Sequence, residues 1–253
     1  MPGNKKCIFF VDALFLLVSN IMVSKKRNRV NQCPWSDWAP STHIWCEEQL
    51  CWWIKEPANT FSNLTYVIIG ILILMNARKY QYPHLKLLGY FSILLGFMSG
   101  FYHATSSFFG EVLDYGSMFL ISSYVLVANL SRLYRWSPKK MSVVASVLFL
   151  FSVVGLVKLR TVGAIFFGAQ INAALIVELL LRKKSDLKVR YKELWISCGL
   201  FLGAWGIWNL DTHRIVCDPT NHIINGHAIW HVMTGIAIFF IFKFYTQFEL
   251  RHE

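Results

Sequence analysis

The stretch "GHAIWHVMTGIAIFFIFKFY", residues 226–245, decides the fold class. A helix needs about 20 apolar residues to cross a hydrocarbon core, and this run supplies them with Lys243 as its one lysine or arginine. Two imidazoles, His227 and His231, stand four residues apart at its start. Ionisable groups at that depth are costly and mark function.

Working outward, six further apolar runs precede this one, at roughly 58–76, 86–107, 112–133, 141–157, 162–181 and 194–210. Charged residues make up 15% of the 253, where a soluble domain carries about a quarter. The composition therefore predicts an all-α integral membrane protein, a seven-transmembrane helix bundle. The net charge of +11 could suggest a nucleic-acid partner, but the basic residues sit in short clusters between apolar runs, as orientation signals do. Alternate loops carry Arg78, Lys79 and Lys86, then Arg132, Arg135, Lys139 and Lys140, then Arg182 to Lys192, against only Lys158, Arg160 and Arg214 in the others. This asymmetry predicts a cytoplasmic C-terminus and an outward segment before the first span.

Four stretches follow. Residues 1–30 are an apolar and basic extension, read as a signal, an extra span or an over-long translation start. Residues 31–57 form an outward acidic segment, 58–246 the helical domain, and 247–253 a cytoplasmic tail. The six cysteines contain no Cys-x-x-Cys pair, which excludes a thiolate zinc ribbon. Cys46 and Cys217 both fall on the outward side, where a disulfide is allowed. Cys198 reads as a buried packing thiol.

On this topology His103 lies near the outer end of the second span, Asp114 near the outer start of the third, and His227 and His231 at the outer start of the seventh. Residues four apart project from one helical face, so His227 and His231 suit one zinc ion. His103 as a third ligand leaves a fourth position open, the pattern of a catalytic site near the outward face. Ser99 precedes His103 by one helical turn, within reach of a developing oxyanion. Asp114 is the expected general base or the partner of a ligand. Outside the membrane, Glu47, Glu48 and Glu56 with Gln49 form a candidate hard-cation cluster.

Five ordered motifs, "WCEE", "EPANTFSNL", "FYHATSSFFGEVLD", "WNLD" and "HAIWHVMTG", resemble the alkaline ceramidases over about residues 41–245. These belong to a superfamily of seven-span metal-dependent hydrolases that includes the adiponectin receptors. The resemblance implies zinc at His103, His227 and His231, Ser99 and Asp114 beside it, and a Cys46–Cys217 disulfide. It also implies calcium held by the Trp45 backbone, Glu47, Gln49 and Glu56. Ile44 stands where that site often opens with an acidic residue, and Gln49 replaces an asparagine. The implied activity is hydrolysis of the ceramide N-acyl bond. The alternatives are a zinc hydrolase of another lipid amide or ester, and a non-catalytic seven-span receptor with structural zinc. The partners expected are the lipid substrate and membrane lipids, with no nucleic acid and no protein.

Overall fold

The computed structural model describes residues 33–78, 84–184 and 189–249. The readings placed on residues 1–30, on Lys79 and Lys188, and on the end of the C-terminal tail lie outside them. The described chain is helical: α1 (Pro57–Ser62), α2 (Leu64–Ala77), α3 (His84–Thr105), α4 (Phe108–Tyr134), α5 (Pro138–Leu159), α6 (Gly163–Lys184), α7 (Lys192–Thr212) and α8 (Gly226–Glu249).

Local chemistry sets most of these boundaries. Pro57 opens α1, where its missing N–H costs nothing. Asn63 keeps helical dihedrals between α1 and α2, so the two form one span, Pro57–Ala77. Ser106, with φ of 47°, turns the chain between α3 and α4. Ser107 then caps α4 by accepting the Gly110 N–H at 3.1 Å. This cap starts α4 four residues before the apolar run at 112, so Asp114 stands two turns inside the helix rather than at its tip. Arg135, in the left-handed region, ends α4, and Ser137 with Pro138 begins α5.

Among the described residues six helices are long and apolar enough to cross a membrane. The exception is α7, which was expected as the sixth span. Lys192, Glu193 and Asp211 stand at its ends and Trp195, Trp205 and Trp208 along it, which lowers its apolarity. It packs extensively on α8. The other close pairs are α2 with α3, α3 with α4, and α4 with α5 and α6. At the α2–α3 crossing, a Cβ on Gly70 would come within 2.6 Å of the Gly89 carbonyl oxygen. Small residues bring the two backbones together there, as in other membrane bundles.

The main core holds Ile73, Leu88, Tyr124, Phe242, Phe244 and Tyr245. Several buried polar groups within the bundle are paired across helices. Gln170 accepts from Ser122 at 2.6 Å and Ser123 at 3.0 Å, and donates to Ser152 at 2.7 Å, joining α4, α5 and α6. Near the other end of α4, Arg132 pairs with Glu178 of α6, which also accepts the Tyr191 hydroxyl at 3.2 Å.

Residues 33–56 form an irregular strap across one end of the bundle. The strap is tied to α4 by Phe108 N–H to the Ala39 carbonyl at 2.7 Å, and by Thr42 N–H to Glu111 at 2.6 Å. Disulfides Cys46–Cys217 and Cys33–Cys51 close it. The second bond was not read from the sequence. Cys198 is the one free thiol among the described residues, and it is partly rather than fully buried against the core. Alkylating the denatured, unreduced protein should therefore label Cys198 and spare Cys33, Cys46, Cys51 and Cys217, as peptide mass spectrometry would read.

Candidate metal centre

Five side chains converge beneath the strap from three helices: Ser99 and His103 on α3, Asp114 on α4, His227 and His231 on α8. All five are at least 91% buried, Asp114 being the most exposed at 9%. Nitrogens of His103, His227 and His231 lie within 4.8 Å of one another, the one such set of three metal-ligating side chains among the described residues.

The outer atoms of two rings fix their tautomers. The His103 Nδ1–H donates to Glu56 Oε2 at 2.7 Å. The Ser62 hydroxyl donates to the Asn59 carbonyl at 2.9 Å, so its oxygen accepts from His231 Nδ1 at 2.7 Å. Both histidines therefore keep a lone pair on Nε2, the arrangement that second partners impose on metal-bound imidazoles. His227 Nε2 lies 3.2 Å from His103 Nε2. Two nitrogens bound to one tetrahedral zinc at about 2.0–2.1 Å stand roughly 3.3 Å apart, so the separation suits a shared ion. The ligand set fits a borderline metal that takes imidazole.

Beside the imidazoles, the Ser99 hydroxyl bonds to the Asp114 carboxylate. Ser99 and His103 share the α3 face that their spacing predicted.

The acidic residues of the strap are used differently from a solvated loop. Glu47 is 2% exposed and Glu56 1%. Glu47 accepts the Ala58 and Asn59 N–H groups at 2.9 and 3.0 Å, which caps the start of α1. It also meets His222 at 3.0 Å and accepts from Asn225 at 3.2 Å. Glu56 accepts from Gln49 at 3.1 Å, Ser106 at 2.8 Å and Asn59 at 3.2 Å. The two carboxylates thus approach each other through Asn59, while Glu48 is exposed.

Trp45, named from the sequence for its backbone alone, places its indole against the imidazole of His227, with ring centroids 3.7 Å apart and planes 20° from parallel. His43, two residues earlier on the strap, stacks on Trp45 with ring centroids 5.5 Å apart. Burial lowers the His43 pKa from its ordinary value, and its Nε2 lies 3.2 Å from the Tyr115 hydroxyl. Ser62 and Glu56 as histidine partners were also missed. Both fall inside the motif "EPANTFSNL", and only the folded chain shows which ring each one meets.

The ceramidase family model matches residues 39–253. The alkaline ceramidase of Caenorhabditis elegans is 26% identical over 230 residues, covering 83% of this chain and 82% of that protein. Alkaline ceramidase YPC1 of Saccharomyces cerevisiae is 27% identical over 234 residues, covering 79% and 74%. Alkaline ceramidase 1 of Homo sapiens is 27% identical over 214 residues, covering 76% and 77%. With a match over most of its length and a helical bundle built to span a membrane, this chain belongs to the ceramidase family of multi-pass membrane hydrolases.

Proposed function

We propose that the protein is a zinc-dependent membrane amidase that hydrolyses the N-acyl bond of ceramide to a sphingoid base and a free fatty acid. The observation that carries this reading is the convergence of three imidazoles beside a Ser99–Asp114 pair, within a chain of the ceramidase family. His103, His227 and His231 would hold the metal. When bound, zinc supplies Lewis acidity toward the amide carbonyl and toward water.

The chain's own groups then handle the proton. Asp114 takes it from the attacking water and returns it to the amide nitrogen as the C–N bond breaks, so the amine leaves neutral. Ser99 donates to the Asp114 carboxylate in the resting arrangement. Once Asp114 is protonated, the hydroxyl is released to the carbonyl oxygen, where it stabilises developing charge. A structural metal site would need neither group, which separates this reading from a non-catalytic receptor.

We place the acyl chain along the apolar seam between α6 and α7. Phe167 and Phe201 meet there at 6.0 Å, and Phe201 continues to Trp230, next to His231. For orientation, the strap end faces outward. Lys and Arg concentrate at the opposite end, and two disulfides require an oxidising side. Calcium is the second proposed ion, at Glu47, Gln49, Glu56 and the Trp45 carbonyl. Oxygen ligation there would displace the N–H donors that these carboxylates now accept. Isothermal titration with calcium, on the wild type and on Glu47→Gln, tests it.

The deciding experiment is sphingoid-base release from ceramide by purified protein, with metal content measured in the same preparation. N-acyl ethanolamines and phospholipids run as competing substrates. Turnover that survives removal of the metal, or a preference for another lipid, would overturn the corresponding part of the proposal. Asp114→Asn should keep the metal and lose about 10²–10⁴ in turnover number, the usual range for a general base. Metal analysis beside steady-state kinetics reads both.

A further inference from the structure

The three imidazoles are not held alike. His103 is anchored by Glu56 and His231 by Ser62, each through Nδ1. His227 Nδ1 is buried and has no hydrogen-bond partner among the described residues. What His227 has instead is the face of Trp45. Trp45 is itself 5% exposed, and its indole N–H donates to the Tyr102 hydroxyl at 3.3 Å.

A second contact fixes the two rings in register. Asp211, at the end of α7, is 1% exposed. Its Oδ2 accepts the N–H of Cys46, the residue after Trp45, at 3.1 Å. Its Oδ1 accepts the N–H of His227 at 3.1 Å, and the Gly226 N–H also bonds to this carboxylate. One buried carboxylate therefore binds the main chain at Cys46 and at His227 together. Gly226 permits the approach, because a Cβ there would lie 2.9 Å from Asp211 Cβ and 3.2 Å from the Ile207 carbonyl oxygen.

We propose that Trp45 and Asp211 are the positioning residues for His227, with the indole face taking the place of the hydrogen bond that the other two ligands have. The inference rests on the metal reading above. Its physical basis is that an imidazole bound to a dication is more positive than a free one. The negative face of an indole attracts it more strongly for that reason. The stack is thus tighter in the metal-loaded protein, and Trp45 adds to metal affinity. Asp211 acts through the backbone by keeping the ring beneath the indole.

The test compares wild type, Trp45→Leu, Trp45→Phe and Gly226→Ala, each purified in detergent, by zinc competition with a chelator. Trp45→Leu should weaken zinc binding about ten-fold, the scale of losing a ligand's outer partner. Trp45→Phe, which keeps an aromatic face, should recover most of that loss. Gly226→Ala displaces Asp211 without touching the indole or the metal, and should weaken binding in the same direction. The absorption bands of the cobalt-substituted protein should shift in Trp45→Leu and in Gly226→Ala. A merely structural tryptophan would lower the melting temperature of the metal-free protein and leave these bands unmoved. If Trp45→Leu fails to fold, the Phe and Gly226→Ala variants carry the comparison. Wild-type affinity and spectrum in both Trp45→Leu and Gly226→Ala would overturn this inference alone. A wild type that binds no zinc would overturn the metal reading and this inference with it.

Discussion

His231→Ala should lose zinc and ceramide turnover together, with the turnover falling by at least about a thousand-fold. Three protein ligands leave no spare, and removing one exposes the metal to water and to chelators. A Lewis acid contributes several kcal/mol to such a barrier, and each 1.36 kcal/mol is about ten-fold in rate. His231 also sits at a crossing point. Its Nδ1 meets Ser62 of α1, and its ring lies edge-on to Tyr66 of α2 at 5.8 Å. The alanine thus leaves the Ser62 oxygen without its donor as well as the metal without its nitrogen. Metal content by mass spectrometry and fatty-acid release in the same sample are the measurements. Full turnover by a metal-free His231→Ala protein would end the zinc mechanism.

The largest stability effect is expected far from the site. Arg132→Leu leaves the Glu178 carboxylate 1% exposed and without its guanidinium. Breaking a buried pair from one side costs about 3–5 kcal/mol. The Arg132 side chain is 24% exposed, so the lower figure is the better expectation. The Tyr191 hydroxyl remains as a donor to Glu178 and softens the loss further. The double variant Arg132→Leu, Glu178→Leu should regain much of the stability, because it removes the stranded charge as well. Thermal unfolding of the four members of this cycle in one detergent tests both statements. Equal melting temperatures for the wild type and the single variant would show that the pair contributes nothing.

Most of the bundle could be read before folding, because a membrane imposes its length on each span. Seven apolar runs became seven long helices, most of them extending a few residues beyond the run, while α3 stops at Thr105, short of residue 107, where Ser106 turns the chain. Ser107 shows how far local chemistry was legible. A serine followed by Glu111 in the first turn is a start signal, and it sets α4 earlier than the apolar run does. The imidazoles were legible for a related reason, since a polar group in an apolar run has few explanations. Glu178 carried the same signal inside the fifth run and could have been weighed in the same way.

The remainder depends on contacts between distant segments. Nothing in the spacing says that Glu56 meets His103 or that Ser62 meets His231. The pairing of Cys33 with Cys51 was likewise one of several connectivities that cysteine positions allow. Glu47 shows how one charge can carry more than its sequence signal. Its charge suggested a cation, and the fold adds a second use, since its carboxylate also accepts the N–H groups that open α1.

The order of the ligands along the chain sets when the site can come into being. His103 lies in α3, while His227 and His231 lie in the last helix, and Cys46 waits for Cys217, 171 residues later. At about 5–20 residues per second, ribosomal synthesis separates the two cysteines by roughly ten to thirty seconds. Throughout that interval the strap has no distal anchor and His103 has neither of its fellow ligands. A nascent chain halted before α8 would carry six of the seven long helices and one of the three imidazoles, so on the proposed zinc reading it would lack two of its three ligands until its final helix is in place.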